Sequence, residues 1–307
     1  MWGAAHEAAC FPGPTVFFFD RRADRAQNRA TRTLPMKLVF SETQSDYGRY
    51  LYPYVVWALP EPGERPADFF RRGFLPASPH LDCYYLCRNL RLPLAGWRPN
   101  SENRRILRKG AGITATLMAR GEFDCSPARR AAWLAFAEAR FGAGVMPRER
   151  LDTLLSAPVI THLLHFTDAD TGAELGTVLL YLEEPAVAYY YYAFYDLAGR
   201  ERNLGMYMMT RAAQFFAERG VAHLYLGTCY SERALYKTRF DGIEFCNGFR
   251  WSADLRELKY QLTRDVNGVG RHLLDVPEYR DVFYGGSLPA LAAASAFRLA
   301  PETVGAA

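Results

Sequence analysis

The chain has 307 residues, half of them hydrophobic and 14% aromatic, enough for one large domain or two modest ones around a real core. Its net charge of +4 separates no function classes, but the charge is uneven: Arg88 to Lys109 carries seven basic residues against one acid, Glu102. No apolar run approaches the roughly 18 residues of a membrane helix, the start lacks the pattern of a secretory signal, and six cysteines are too sparse for a disulfide scaffold. The expectation is a reduced, cytoplasmic protein without a membrane partner.

Residues 1–35 mix Ala, Gly, Pro and Arg without a sustained period. They read as a poorly ordered leader, with Met36 as the natural start. Residues 36–122 form a smaller N-terminal α+β region that includes the basic segment. In it, Met36 to Phe40 reads as a strand, Asp68 to Gly73 as a short glycine-closed helix and Cys83 to Leu94 as a strand. Asn100-Ser101 caps a helix running through Leu107, and Ile113 to Ala119 alternates as another strand.

Residues 123–262 carry a clearer pattern. Ser126-Pro127 opens a helix whose apolar stripe is Trp133, Phe136 and Phe141, ending at Gly142. A short helix covers Pro147 to Leu155. Strands follow at Ile160–Thr167, Glu174–Glu183 and Ala188–Tyr195, with a turn at Asp168–Gly172. Met206–Arg219 is a helix, His223–Leu226 a buried strand, Ser231–Thr238 a helical turn and Glu244–Trp251 a last strand. Residues 263–307 read as a helical tail, with a helical pattern near Gly268 to Leu274 and an Ala-rich end expected to be a surface or frayed tail. The fold class is α+β: a mixed central sheet with flanking helices.

Four motifs stand in series: Phe194-Tyr195-Asp196, Leu204-Gly205-Met206-Tyr207, Tyr225-Leu226-Gly227 and Tyr236-Lys237, followed by Trp251. Upstream lie Arg71-Arg72-Gly73 and the segment Arg98-Pro99-Asn100-Ser101 to Arg104-Arg105. In this order, across roughly residues 70–251, the chain resembles the arginyl-tRNA–protein transferase family. The resemblance implies an acetyltransferase-type (GNAT) catalytic domain. Its activity would move an amino acid, arginine- or leucine-like, from aminoacyl-tRNA to a protein's N-terminal amine. The family's amino-terminal cysteine pair, which binds a metal or iron–sulfur centre, is absent. Cys83 and Cys87, with His80 close by, would need a further ligand, and no cofactor is expected. Arg140-Phe141 stands where the family has Arg-His.

Attack on an activated ester needs a neutral amine, a stabilised oxyanion and a protonated leaving oxygen. The residues expected to supply catalysis are Tyr225, Tyr236 and Asp196. Tyr225 reads alternatively as a core aromatic, and Asp196 as a turn residue. Donor binding is expected from Tyr192, Tyr195, Leu204, Gly205, Tyr207, Gly227 and Lys237, and tRNA-phosphate contacts from Arg98, Arg104, Arg105 and Arg108. In the run Tyr189–Tyr192, alternation puts Tyr190 and Tyr192 on one face and Tyr189 and Tyr191 on the other. His162 and His165 read as satisfied polar core residues, and Glu174 as a solvated acid. Two other readings stand beside the transferase. One is an acetyl-CoA-dependent N-acetyltransferase, disfavoured because Tyr207 occupies the position where a small residue lets a pyrophosphate approach. The other is a non-catalytic relative that binds tRNA or protein N-termini.

Overall fold

Two sheets organise the molecule in the computed structural model, which describes residues 36–42, 53–197, 203–267, 273 and 276–295. The expected leader and nearly all of Gly268–Leu274 lie outside the described residues. The smaller sheet is antiparallel and contains β1 (Lys37–Glu42), β2 (Tyr54–Leu59), β3 (Phe74–Pro76) and β4 (Tyr84–Leu86), in the order β1-β2-β4-β3. Helix α1 (Pro66–Arg71) turns Phe69 and Phe70 inward. The strand expected over Cys83–Leu94 is two strands. The Asn89 N–H bonds to the Cys87 carbonyl, breaking the run, and β5 (Asn89–Pro93) leaves for the larger sheet.

The larger sheet adds β6 (Ile113–Ala119), β7 (His162–Asp168), β8 (Glu174–Glu183), β9 (Val187–Tyr195) and β10 (His223–Thr228). The expected last strand is also two short pieces, β11 (Glu244–Cys246) and β12 (Trp251–Ser252). Between them the Asn247 Oδ1 accepts from the N–H groups of Phe249 and Arg250 and fixes a turn. The order is β12-β11-β5-β10-β9-β8-β7-β6, antiparallel throughout except for β9 and β10. The sheet therefore draws strands from both sides of position 122.

Helices cover both faces. On one lie α2 (Ser101–Lys109) and α5 (Leu204–Glu218), packing Ile106, Met208 and Phe216 against Leu90, Leu180 and Tyr190. On the other lie α3 (Pro127–Phe141) and α4 (Arg148–Ser156), whose Trp133, Phe136 and Leu151 meet Leu163, Leu179 and Phe194. Each such side chain contributes about 1.5–3 kcal/mol on burial. The caps read from sequence are present: Asn100 accepts from the Asn103 N–H (2.9 Å) and Ser126 from the Arg129 N–H (3.3 Å).

The described C-terminal part is helical, with the Ala-rich last helix mostly at the surface and only its Leu291 buried; residues 296–307 lie outside the described residues. Helices α6 (Leu255–Val266), α7 (Pro277–Tyr284) and α8 (Leu288–Ala294) follow β12. Glu257 of α6 is fully buried. It accepts from Tyr279 (2.6 Å), Tyr284 (3.1 Å), Asn247 (2.9 Å) and Ser252 (2.7 Å), with the Arg250 guanidinium at 3.6 Å. A buried carboxylate so surrounded has its lone pairs satisfied, and it pins α7 to the body.

Candidate active site

The parallel pairing of β9 and β10 stops at Tyr189–Tyr225, although β9 runs on to Tyr195. Beyond that point β10 shifts register and pairs Gly227 with Leu90 of β5. The two central strands thus splay, and the candidate cleft is the junction beyond them, bounded by the end of β9, the start of α5 and the 3₁₀ turn Glu232–Thr238, where the Tyr195 hydroxyl lies against Gly205.

A bulge accompanies the splay. Leu180 pairs with Tyr190 and Leu179 with Tyr192, so Tyr191 is an extra residue. The expected alternation fails here as a result. Tyr190 packs in the core under α5, while Tyr192 falls on the α3 face, where it accepts from Arg150 (3.3 Å) and stacks on Phe194. Of this pair expected on one face, only Tyr190 meets the core beneath α5.

Tyr195 reaches into the cleft. Its ring packs edge-on to Phe136 (4.7 Å between centroids) and its hydroxyl lies against Gly205. A Cβ on Gly205 would sit 2.8 Å from that oxygen, so the glycine makes room for a tyrosine rather than for a phosphate. Asn203, in the left-handed region (φ 49°), makes no side-chain cap. Among the described residues no side chain caps the first N–H groups of α5.

Tyr207 corrects a sequence expectation. It is 3% exposed, its ring lies over Gly110 at the end of α2, and its hydroxyl donates to the Ile113 carbonyl (3.2 Å). It wedges α2 against α5 and does not fill a pyrophosphate site, so the steric case against coenzyme A is gone. Leu204 is likewise buried. Tyr225 is 1% exposed, between Phe70 and Trp251 on the sheet face away from α5. Burial raises its pKa to about 12, with the Arg91 guanidinium bonded to its oxygen opposing. This is the core-aromatic alternative rather than a catalytic placement.

Tyr236 sits differently. Its ring is 42% exposed at the cleft mouth. Desolvation raises its hydroxyl pKa, Tyr195 adds to the rise, and the Arg140 guanidinium opposes it. Lys237 beside it donates to the Thr228 carbonyl (3.1 Å), with Gly227 (φ 75°) close to its ammonium. Desolvation lowers the Lys237 pKa to about 8, against the pull of the Cys229 thiol.

Asp196 is exposed, and its N–H donates to the Leu175 carbonyl. It stands on the rim of a groove of about 550 Å³, floored by Trp133, Phe136 and Phe194. Glu174, also on that rim, accepts from Arg129 (2.8 Å) and from Thr177 (3.3 Å), whose oxygen lies 3.0 Å from His165 Nδ1. Burial lowers the pKa of both His165 and His162. Nothing in the sequence pattern marked the groove, because its floor is the same stripe that builds the α3 core.

The basic segment divides in two. Arg98, Arg104, Arg105 and Arg108 are exposed, with Arg104 donating to Pro99 and Arg105 paired to Glu102. Arg88 and Arg91 instead turn inward onto Asp265 and Glu244 (both 2.7 Å). The cysteines do not fit a metal: Cys87 is buried against the Gly73 carbonyl, Cys83 is half-buried and His80 is exposed. Among the described residues no cluster of three or more His, Cys, Asp or Glu side chains is suited to hold an ion. No described helix is long and apolar enough to cross a membrane.

The chain is similar to bacterial aspartate/glutamate leucyltransferases. It is 26% identical to that of Chromobacterium violaceum over 189 residues, 60% of this chain and 76% of the relative. It is 25% identical to that of Thiobacillus denitrificans over 193 residues, 61% and 78% respectively. No family model matches. Solved structures with a likeness include FemX (11% identity, TM-score 0.36, 46% of this chain and 52% of that one). Another is a GCN5-related N-acetyltransferase from Sphaerobacter thermophilus (16%, TM-score 0.29, 46% and 41%). The chain spans about half the length of these structures.

Proposed function

We propose that this protein is an aminoacyl transferase that moves leucine from leucyl-tRNA to the N-terminal amine of a protein beginning with an acidic residue. The splayed pair β9–β10, with Tyr236 half-exposed at its mouth, carries the reading. The leucyltransferase relatives support the choice of leucine over arginine and the choice of acceptor. The reaction belongs in the cytoplasm, where charged tRNA is available.

The chemistry follows from the groups at the cleft. An N-terminal amine has a pKa of about 7.7–8.0, so a useful fraction is neutral near pH 7. It attacks the ester carbonyl: a C–N bond forms and the C–O bond to ribose breaks. The amine must lose one proton and the ribose oxygen must gain one. Tyr236, a phenol and so protonated at neutral pH, gives its proton to the ribose oxygen and takes one from the nitrogen. N–H groups at the start of α5 serve the developing oxyanion. Holding the two substrates together supplies much of the remaining rate. Exposed Arg98, Arg104, Arg105 and Arg108 hold tRNA phosphates, and Asp196 holds the α-ammonium of the aminoacyl group.

The test is transfer of labelled leucine from leucyl-tRNA to a peptide beginning with Asp. Wild-type protein should transfer, and Tyr236→Phe should be slower by about 10²–10⁴-fold, the usual contribution of a positioned acid. Acetyl transfer from acetyl-CoA with no leucyl transfer would reject the reading.

A further inference from the structure

The groove along α3, about 550 Å³, has a volume in the usual range of small-ligand sites. Its floor is held rigidly. Trp133 stacks on Phe194 (4.9 Å between centroids), and Phe136 packs edge-on to both Phe194 (5.8 Å) and Tyr195 (4.7 Å). Exposed Ala132 and Ala135, three residues apart on one face of α3, line it with side chains small enough to leave space. Half-buried Leu175 and Leu197 keep the rest of the lining apolar. The rim is charged. It carries the carboxylates of Asp196 and Glu174 against one guanidinium, Arg129, which is bonded to Glu174 (2.8 Å) and lies over the Phe123 ring (4.7 Å).

Tyr195 joins this groove to the candidate cleft. It lines the groove, and its hydroxyl lies against Gly205 at the start of α5. The two sites are one tyrosine ring apart. The parts of the two substrates differ in how they suit the groove. The tRNA phosphates and the side chain of an acidic acceptor are anions, which the rim carboxylates repel. The leucyl group of the donor carries an isobutyl arm and an ammonium on the same carbon, and no negative charge. An apolar floor takes the first, and an acidic rim takes the second.

We infer that this groove is the subsite for the leucyl side chain of the donor, with Ala132 and Ala135 setting its width and Asp196 on the rim meeting the α-ammonium. The assignment rests on the transferase reading and deepens it, because it names the residues that select leucine among aminoacyl groups. A smaller side chain would leave the aromatic floor uncovered. A cationic one would bring a second positive charge onto an apolar surface, where burial of a charge is costly.

Titration calorimetry with amide-linked 3′-aminoacylamino-3′-deoxyadenosines, carrying a leucyl, alanyl or arginyl group, tests this without turnover. Wild-type protein should bind the leucyl compound about tenfold or more tightly than the alanyl one, since a single methylene in an apolar pocket is already worth about tenfold. The 4-methylpentanoyl counterpart, which keeps the isobutyl arm and lacks the ammonium, should bind about tenfold more weakly than the leucyl compound. Ala132→Phe and Ala135→Phe, at exposed positions of α3, fill the groove from outside the core. They should abolish the leucyl preference and leave alanyl binding unchanged, with melting temperatures within about a degree or two of wild type. Equal binding of the leucyl and alanyl compounds by wild type, tighter binding of the arginyl compound, or an undiminished leucyl preference in both α3 variants overturns the assignment. If the transferase reading alone were wrong, the leucyl preference and its loss in the α3 variants would survive while no leucine passed from leucyl-tRNA to peptide.

Discussion

Gly205→Ala separates the two explanations for the glycine at the start of α5. The added methyl would lie 2.8 Å from the Tyr195 hydroxyl oxygen, 3.0 Å from Cζ and 3.2 Å from Cε1. The ring cannot simply swing away, because Phe136 packs on it at 4.7 Å. Overpacking of this kind costs about 1–3 kcal/mol, and replacing a helical glycine by alanine returns about 0.5–1 kcal/mol. The net is a destabilisation of about 0.5–2 kcal/mol, a few degrees in melting temperature for a chain of this size. Thermal unfolding of wild type, Gly205→Ala, Tyr195→Leu and the double variant measures the coupling. With Tyr195 shortened, Gly205→Ala should become neutral or stabilising. An equal cost in both backgrounds would refute the argument and return the glycine to the role of an anion cradle.

Glu257→Gln places an amide NH₂ opposite Ser252 and the Arg250 guanidinium. Breaking that buried pair should cost about 2–4 kcal/mol in chemical denaturation and make the chain cleavable ahead of α7 by a protease. Replacing Arg104 and Arg105 by Ala should weaken tRNA binding and reduce the slope of log affinity against log salt by between one and two, as measured by filter binding at several salt concentrations; an unchanged slope would leave α2 an ordinary solvated face. Lys237 has a folded pKa of about 8, below that of a free lysine. The native state therefore sheds this proton first, and stability rises with pH between about 8 and 10.4 through this group. Below pH 8 the cost of burying the ammonium is present in full. Lys237→Met should remove that rise in stability, read from denaturant midpoints across the window.

Much of the catalytic half was legible because local signals agreed with the tertiary result. Ser126-Pro127 and Gly142 bound α3 as their chemistry dictates, and β6, β8 and β9 fall on strands that the sequence predicts, although only β6 keeps an alternating start. What escaped depends on one-residue geometry or on distant partners. The bulge at Tyr191 has no marker within four consecutive tyrosines, yet it decides which ring meets which core. Tyr207 reads as part of a loop motif, but its direction is set by the glycine at position 110, far upstream. Glu257 looks like an ordinary helix acid until Tyr279 and Tyr284 close over it.

The placement of β5 bears on how the chain comes together during synthesis. This five-residue strand from the N-terminal third lies between β10 and β11, holding Leu90 against both Gly227 and Phe245. It emerges from the ribosome more than a hundred residues before its partners, and the cleft has no outer wall until they meet. A shortened protein starting at 123 would expose the unpaired edge of β10, a template for association with other chains. The segment that looks like an accessory region is in this sense the keystone of the catalytic one.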